Sequence, residues 1–174
     1  GIFYTGGTTG FPKGVMLTHT NLASNALSNV AEQIVHANGV TLFAAPMFHL
    51  ANGASMLASM TFGNLTTFVP AFNPLGVLQA IQAQRVSQAL LVPTMIQMLV
   101  DHPERPNYDT SSLRSVLYGA SPISEGVMRR ALAAFPNANF NQAYGMTELS
   151  PCATILPAWY HTAEGQKAGK MRSG

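Results

Sequence analysis

The chain has 174 residues and a mass of 18.5 kDa, room for about one domain with one core. Hydrophobic residues make up 47%, which excludes a disordered chain, and charged residues make up 9%, well below the roughly 25% of an ordinary soluble domain. The net charge of +2 is too small and too scattered to imply a nucleic-acid partner, and none is expected; the single cysteine, Cys152, excludes an internal disulfide framework and fits a reducing, cytoplasmic setting.

Residues 2–5 read as a strand and 6–14 as a glycine-rich loop. Leu22, Ala26, Val30 and Ile34 recur at helical spacing, and Thr20 or Asn21 is placed to cap that helix. A strand over 40–45 ends at Pro46, a short buried helix covers 55–62, and another strand covers 65–69. Asn73-Pro74 is a cap followed by proline at the first helical position, so a helix runs from there to about residue 84. A strand at 87–92 leads into a helix opened by Pro93. After a polar loop come a strand at 113–118, a helix capped by Ser124 and a last clear strand at 139–144. The tail after Pro157 shows no pattern. Repeated strand–helix–strand units predict an α/β fold, a mainly parallel sheet flanked by helices.

Between Glu32 and Arg85 there is no Asp, Glu, Lys or Arg. Pro46, Asn52, Gly53, Gly63, Asn64, Pro70 and Pro74 interrupt this stretch, so it is not a membrane-spanning helix. It reads as buried interior or as an apolar binding wall. Met47, Met56, Met60, Met95 and Met98 fall in or just after it and read as core filling, with the lining of an acyl channel as the alternative. His19, His36, His102 and His161 have no metal-ligand spacing and read as surface or loop residues.

The loop Tyr4-Thr5-Gly6-Gly7-Thr8-Thr9-Gly10-Phe11-Pro12-Lys13-Gly14 has the composition of a phosphate cradle. Glycines let backbone N–H groups reach an anion, threonines add hydroxyl donors, and Lys13 adds a positive charge. It is not a Walker A loop, because Phe11 and Pro12 separate Gly10 from Lys13. Gln142-Ala143-Tyr144-Gly145-Met146-Thr147-Glu148 supplies an aromatic face, a hydroxyl and a carboxylate at a strand end. Tyr118-Gly119-Ala120-Ser121-Pro122 makes another strand–turn–helix corner, and Pro46-Met47-Phe48-His49 ends a third strand.

These four segments, in this order, resemble the signatures of the acyl-adenylate-forming superfamily (AMP-binding enzymes), and the chain looks most like an acyl-CoA synthetase. Gly6 stands where many members carry serine. The resemblance implies that Thr5, Gly6, Gly7, Thr8, Thr9, Gly10 and Lys13 hold the phosphates of ATP. It implies that Gly119, Ala120 and Ser121 pass along adenine, with Gly119 also facing the acid. It implies that Tyr144 stacks on adenine beside Gly145, that Thr147 contacts the α-phosphate, and that Glu148 helps hold Mg2+. Lys13, Thr147 and Glu148 are then the catalytic set, and His49 lies near the acyl and thiol channels.

The implied activity is ATP-dependent conversion of a carboxylic acid to an acyl-adenylate, followed by thioester formation with coenzyme A. The charge-free stretch points to an apolar fatty or aryl acid. One alternative is an amino-acid adenylation domain, disfavoured because that stretch has no Asp to hold an amine. Another is a non-catalytic nucleotide-binding module, disfavoured by the intact loop. Residues 1–174 are expected to be a fragment of the AMP-binding N-terminal domain. The family's region before the loop, its ribose-binding Tyr-x-Thr-Gly-Asp segment and its C-terminal lysine domain are not in this sequence. Such a fragment is expected to be inactive alone and to self-associate through exposed apolar faces. Peripheral membrane association of the whole protein is left open.

Overall fold

The structure, a computed structural model, describes residues 1–6 and 10–167. Strands β1 (Ile2–Thr5) and β2 (Lys13–Met16) pair antiparallel as a hairpin of their own, with Thr5 opposite Lys13. Helix α1 (His19–Ala31) follows. Then come β3 (Val40–Phe43), α2 (Leu50–Thr61), β4 (Leu65–Phe68), α3 (Pro74–Gln84), β5 (Gln88–Leu91) and α4 (Pro93–Val100). The chain continues through β6 (Ser115–Gly119), α5 (Glu125–Ala134), β7 (Asn139–Gly145), β8 (Cys152–Leu156) and the short α6 (Ala163–Lys167). The main sheet has the order β4-β3-β5-β6-β7-β8; all its pairings are parallel except that of β7 with β8. The expected mainly parallel α/β fold is the one observed.

Side-chain alternation along each strand divides the sheet into two faces. Leu42, Ala89, Leu91, Val116, Tyr118 and Phe140 join Val77, Leu78 and Ile81 of α3, Ile96 and Leu99 of α4, and Val127, Met128 and Ala131 of α5 in one apolar core. Each such side chain, fully buried, contributes roughly 1.5–3 kcal/mol. The intervening residues Thr41, Gln88 and Ser115 meet the layer that contains α1 and α2, and they are polar yet buried. They are satisfied locally: Gln88 Nε2 donates to Thr41 Oγ1 at 2.8 Å, Thr41 Oγ1 lies 2.7 Å from Ser59 Oγ, and Ser115 Oγ donates to the Ile34 carbonyl at 3.0 Å.

Several sequence expectations need correction. Helix α1 is capped by Thr18, whose hydroxyl accepts from Asn21 N at 3.1 Å while Asn21 Oδ1 accepts from Thr18 N at 2.9 Å. This reciprocal box starts the helix before Thr20. Helix α2 starts at Leu50, not at residue 55, because Asn52 is no breaker here: it is 1% exposed and its Nδ2 donates to the Ala45 carbonyl. Lys13 and Gly14 lie in a strand, not a loop. Gly14 fits there because a Cβ would stand 2.8 Å from Ile2 Cγ2. The loop they close joins a separate hairpin instead of following a strand of the parallel sheet. Strand β8 was not anticipated. His161, read as a surface residue, is 1% exposed with Nε2 2.9 Å from the Tyr118 hydroxyl. Of the five methionines read as core filling, Met47, Met60 and Met98 are exposed, while Met95 is half-buried and packs against the apolar core.

Candidate active site

Parallel strands end together, so β3, β5, β6 and β7 deliver their C-terminal residues to one edge of the sheet. A cavity of about 320 Å³ opens there between the strand ends and α2. It is lined by Ala45 after β3, by His49, Asn52, Ala54 and Ser55 among others around the start of α2, by Val92 after β5, and by Gly119 and Ala120 at the end of β6. Ala143, Gly145, Met146 and Thr147 complete it from β7 and the following turn, with Pro151 and Cys152 from the entry to β8. No Lys, Arg, Asp or Glu is in that lining.

Two glycines of the site have a packing reason. A Cβ on Gly119 would stand 2.2 Å from the Ala143 carbonyl oxygen, and one on Gly145 would stand 1.9 Å from that of Pro151. Neighbouring backbone occupies that space, so these glycines bring strands together at the cavity floor. Ala120 follows with φ +68°, a left-handed conformation unfavourable for a residue with a Cβ, which turns the chain sharply away from β6. Gly6 and Gly10 differ: a Cβ on either would meet nothing within 4 Å. Their lack of side chain answers to no internal packing and leaves room for a ligand to approach the backbone.

The hairpin that carries Lys13 packs beside the same site. Strand β2, which begins at Lys13, lies against the 3-10 turn Thr147–Leu149. Asn25 of α1 reinforces the arrangement by donating from Nδ2 to the Cys152 carbonyl at 2.7 Å and the Leu149 carbonyl at 3.5 Å. Among the described residues no carboxylate forms an ion pair with Lys13, so its charge is free for an anion. Tyr144, 66% exposed, presents an open aromatic face. Glu148 is exposed beside it in the turn. Burial pushes the Cys152 thiol up and His161 down, and it holds the Tyr118 phenol protonated far above neutrality.

Five expected site residues, His49, Gly119, Ala120, Gly145 and Thr147, line the cavity together. Thr5, Gly6, Gly10, Lys13, Ser121, Tyr144 and Glu148 lie outside its wall, and Gly7, Thr8 and Thr9 lie outside the described residues. His49 occupies the N-cap position of α2 with its ring 4.6 Å from that of Phe48. Only the first part of the charge-free stretch, around 45–55, reaches the cavity; Val77, Leu78 and Ile81 belong to the core instead. Asn29, Asn52, Pro151 and Cys152 are lining residues that the motifs did not reveal.

The family described as AMP-binding enzyme matches residues 1–173. The chain belongs to the AMP-binding enzyme family. Among its curated relatives, a feruloyl-CoA synthase of Amycolatopsis sp is 38% identical over 94% of this chain and 33% of that protein. The 4-coumarate–CoA ligase 1 of Arabidopsis thaliana is 38% identical over 85% of this chain and 27% of its own length. The chain therefore spans about a third of the length of the curated relatives it matches. Among solved structures, the inhibitor-bound N-terminal domain of FACL13 from Mycobacterium tuberculosis superposes with a TM-score of 0.85 at 30% identity, over 91% of this chain and 39% of that one. A long-chain-fatty-acid–CoA ligase from Archaeoglobus fulgidus gives 0.83 at 31% identity, over 99% and 35%.

A magnesium ion fits the donors that this member of the AMP-binding enzyme family offers. No group of three or more His, Cys, Asp or Glu stands ready to hold a metal alone among the described residues. Magnesium does not need one, since it binds through one or two carboxylates with phosphates and water supplying the remainder. Glu148 is the exposed carboxylate in the turn that β2 touches.

Proposed function

We propose that the whole protein activates an apolar carboxylic acid with ATP and passes the acyl group to coenzyme A. One observation carries this: the strand that begins at Lys13 lies against the Thr147–Leu149 turn, at the rim of an apolar cavity with no fixed charge. A polyanion held at the rim and an acid held below it meet at the Gly119–Ala120 corner. Attack of the carboxylate on the α-phosphorus gives acyl-adenylate and pyrophosphate. Lys13 and the loop amides stabilise charge on the phosphates. Thr147 orients the α-phosphate, Tyr144 stacks on adenine beside Gly145, and Glu148 holds Mg2+, which neutralises phosphate charge. Ser121 continues the corner past the base. Gly6 and Gly10 let the backbone approach the phosphates, with Thr5 at the start of the loop.

The acid is aryl or fatty. An amine-bearing acid is disfavoured because the lining has no carboxylate to pair with it. The relatives named above include CoA ligases for feruloyl, 4-coumarate and long-chain fatty acyl groups, in keeping with an apolar acid. The whole protein is proposed to supply a ribose-binding segment and a C-terminal lysine domain beyond these residues, and to work in the cytoplasm. Among the described residues no helix is long and apolar enough to cross a membrane. Acid-dependent exchange of labelled pyrophosphate into ATP by the full-length protein tests activation, and consumption of the free coenzyme A thiol with release of AMP tests the second step. Failure of every aryl and fatty acid to support exchange sinks the proposal.

A further inference from the structure

A buried polar network adjoins the strand ends of the candidate active site. After β8 the chain makes a 3-10 turn, Ala158–His161, which packs on β7, where Ala158 N donates to Asn141 Oδ1 at 2.9 Å. The turn carries the buried His161, whose Nε2 lies 2.9 Å from the Tyr118 hydroxyl. That hydroxyl also donates to Gln142 Oε1 at 3.4 Å. Tyr118 is the β6 residue immediately before Gly119; it stands opposite Gln142 of β7, as Gly119 stands opposite Ala143. His161 thus ties the turn to β6 and, through Tyr118, to β7, one residue before Gly119 and Ala143 in the cavity wall.

Packing alone does not call for these side chains. A buried hydrogen-bonded pair is about as stable as an apolar pair of the same shape, so phenylalanine and leucine would fill the same space at little cost. What a polar pair adds is a fixed distance and angle. The neighbouring backbone needs one. Ala120 follows Tyr118 by two residues at φ +68°, and a left-handed residue with a Cβ persists only where its surroundings hold it. Burial pushes His161 down and keeps the Tyr118 phenol protonated, so the network is neutral near pH 7. It anchors the corner without adding a charge to the cavity.

We propose that His161 is a positioning residue, which holds the Tyr118 hydroxyl and thereby fixes the Gly119–Ala120 corner against β7. The inference rests on acid and nucleotide meeting at that corner, as in the function proposed above. Displacing the corner then slows attack on phosphorus more than it weakens binding, because the rate depends on alignment to within about 1 Å.

The test follows pyrophosphate exchange and amide hydrogen exchange in the full-length protein carrying Tyr118→Phe, His161→Leu, His161→Gln, or the first two together. Tyr118→Phe and His161→Leu are each expected to lower kcat of pyrophosphate exchange about tenfold, with KM for ATP and acid within about twofold of the wild type. The double variant is expected to lose no more than either single one, since both break the same contact. His161→Gln, whose amide can still meet the hydroxyl, is expected to recover most of the lost rate. Amides over 118–120 and 142–144 should lose protection in Tyr118→Phe while those of β3 keep it. Wild-type kcat in Tyr118→Phe, losses that add in the double variant, a rise in KM alone, or a glutamine variant as slow as the leucine one overturns the inference. Tyr118→Phe removes one oxygen and keeps the ring, so it decides even where His161→Leu fails to fold. If no acid supports exchange by the wild type, activation fails, and amide protection at the corner decides the anchoring: its loss supports His161 and its persistence overturns it. Exchange by the wild type with unchanged rates in every variant supports activation and overturns His161.

Discussion

In the six-stranded sheet, Leu42, Val116 and Phe140 are sealed between strands and helices; in the β1–β2 hairpin, Ile2, Tyr4, Phe11 and Met16 stand exposed, Phe11 at 94%. Both regions are β-structure built from similar apolar residues. Strands of the sheet gain stability from two covered faces. The hairpin is held by its own ladder and by the Gly1 amino group donating to the Leu17 carbonyl at 2.8 Å, with Phe3, Val15 and Leu17 packing on Leu50 and Ala54 of α2. A two-stranded unit with one covered face is marginal alone. The difference separates tasks: the sheet fixes where strand ends point, and the hairpin carries the glycine-rich loop proposed to hold phosphates on an element with fewer covered faces.

That contrast can be broken by mutation. Truncation in the sheet has the largest expected effect: Phe140→Ala should lose about 3–5 kcal/mol in denaturant unfolding. Met16→Ala in the hairpin should stay within about 0.5 kcal/mol. Comparable losses would show that the hairpin is as much core as the sheet. Gly145→Ala comes next, at about 1–3 kcal/mol, because the added methyl meets the Pro151 carbonyl and forces β7 and β8 apart.

The buried Tyr118–His161 contact gives a smaller, pH-dependent effect. Burial lowers His161 from its ordinary 6.5, so the unfolded chain binds that proton more readily than the folded one. Stability should therefore fall as pH drops below 6.5 toward the lowered folded value and be unaffected by this group above it. Thermal melts across that window should slope less in His161→Gln; an unchanged slope would assign the dependence to other groups. The smallest effect on folding belongs to Lys13→Ala, within about 0.5 kcal/mol. The same variant should cut pyrophosphate exchange in the full-length protein by about a hundredfold or more. Loss of folding in step with loss of exchange would make Lys13 structural and erase the contrast.

The parallel sheet was legible because its strands are apolar runs closed by Pro46, Pro93 or glycine, and because Asn73-Pro74 and Ser124 announce helices unambiguously. The hairpin partner β2 was not, since Lys-Gly-Val-Met has no alternation and its pairing depends on β1. Strand β8 was hidden for a related reason: its antiparallel register against β7, with an irregularity at Tyr144 and Gly145, is set by tertiary contact. Of the site, the motif residues His49, Gly119, Ala120, Gly145 and Thr147 were readable, and all five share a wall. Asn29 and Cys152 were not, because helical periodicity treats one as a polar interruption and nothing local marks the other. What the motifs implied for Gly119 and Gly145 was ligand approach; the structure adds strand-to-strand contact as a reason for each.

The hydrogen bond from Asn25 to the Cys152 carbonyl spans 127 residues of sequence. Bringing such distant segments together costs loop-closure entropy before any contact rewards it, so pairings of this kind form late in folding. Within these residues the hairpin, α1 and the early strands precede in synthesis the wall supplied by Pro151 and Cys152. A nascent chain halted before β8 holds most of its core residues, yet its cavity stands open along one side. The wall of the cavity is thus completed after the strands that frame it.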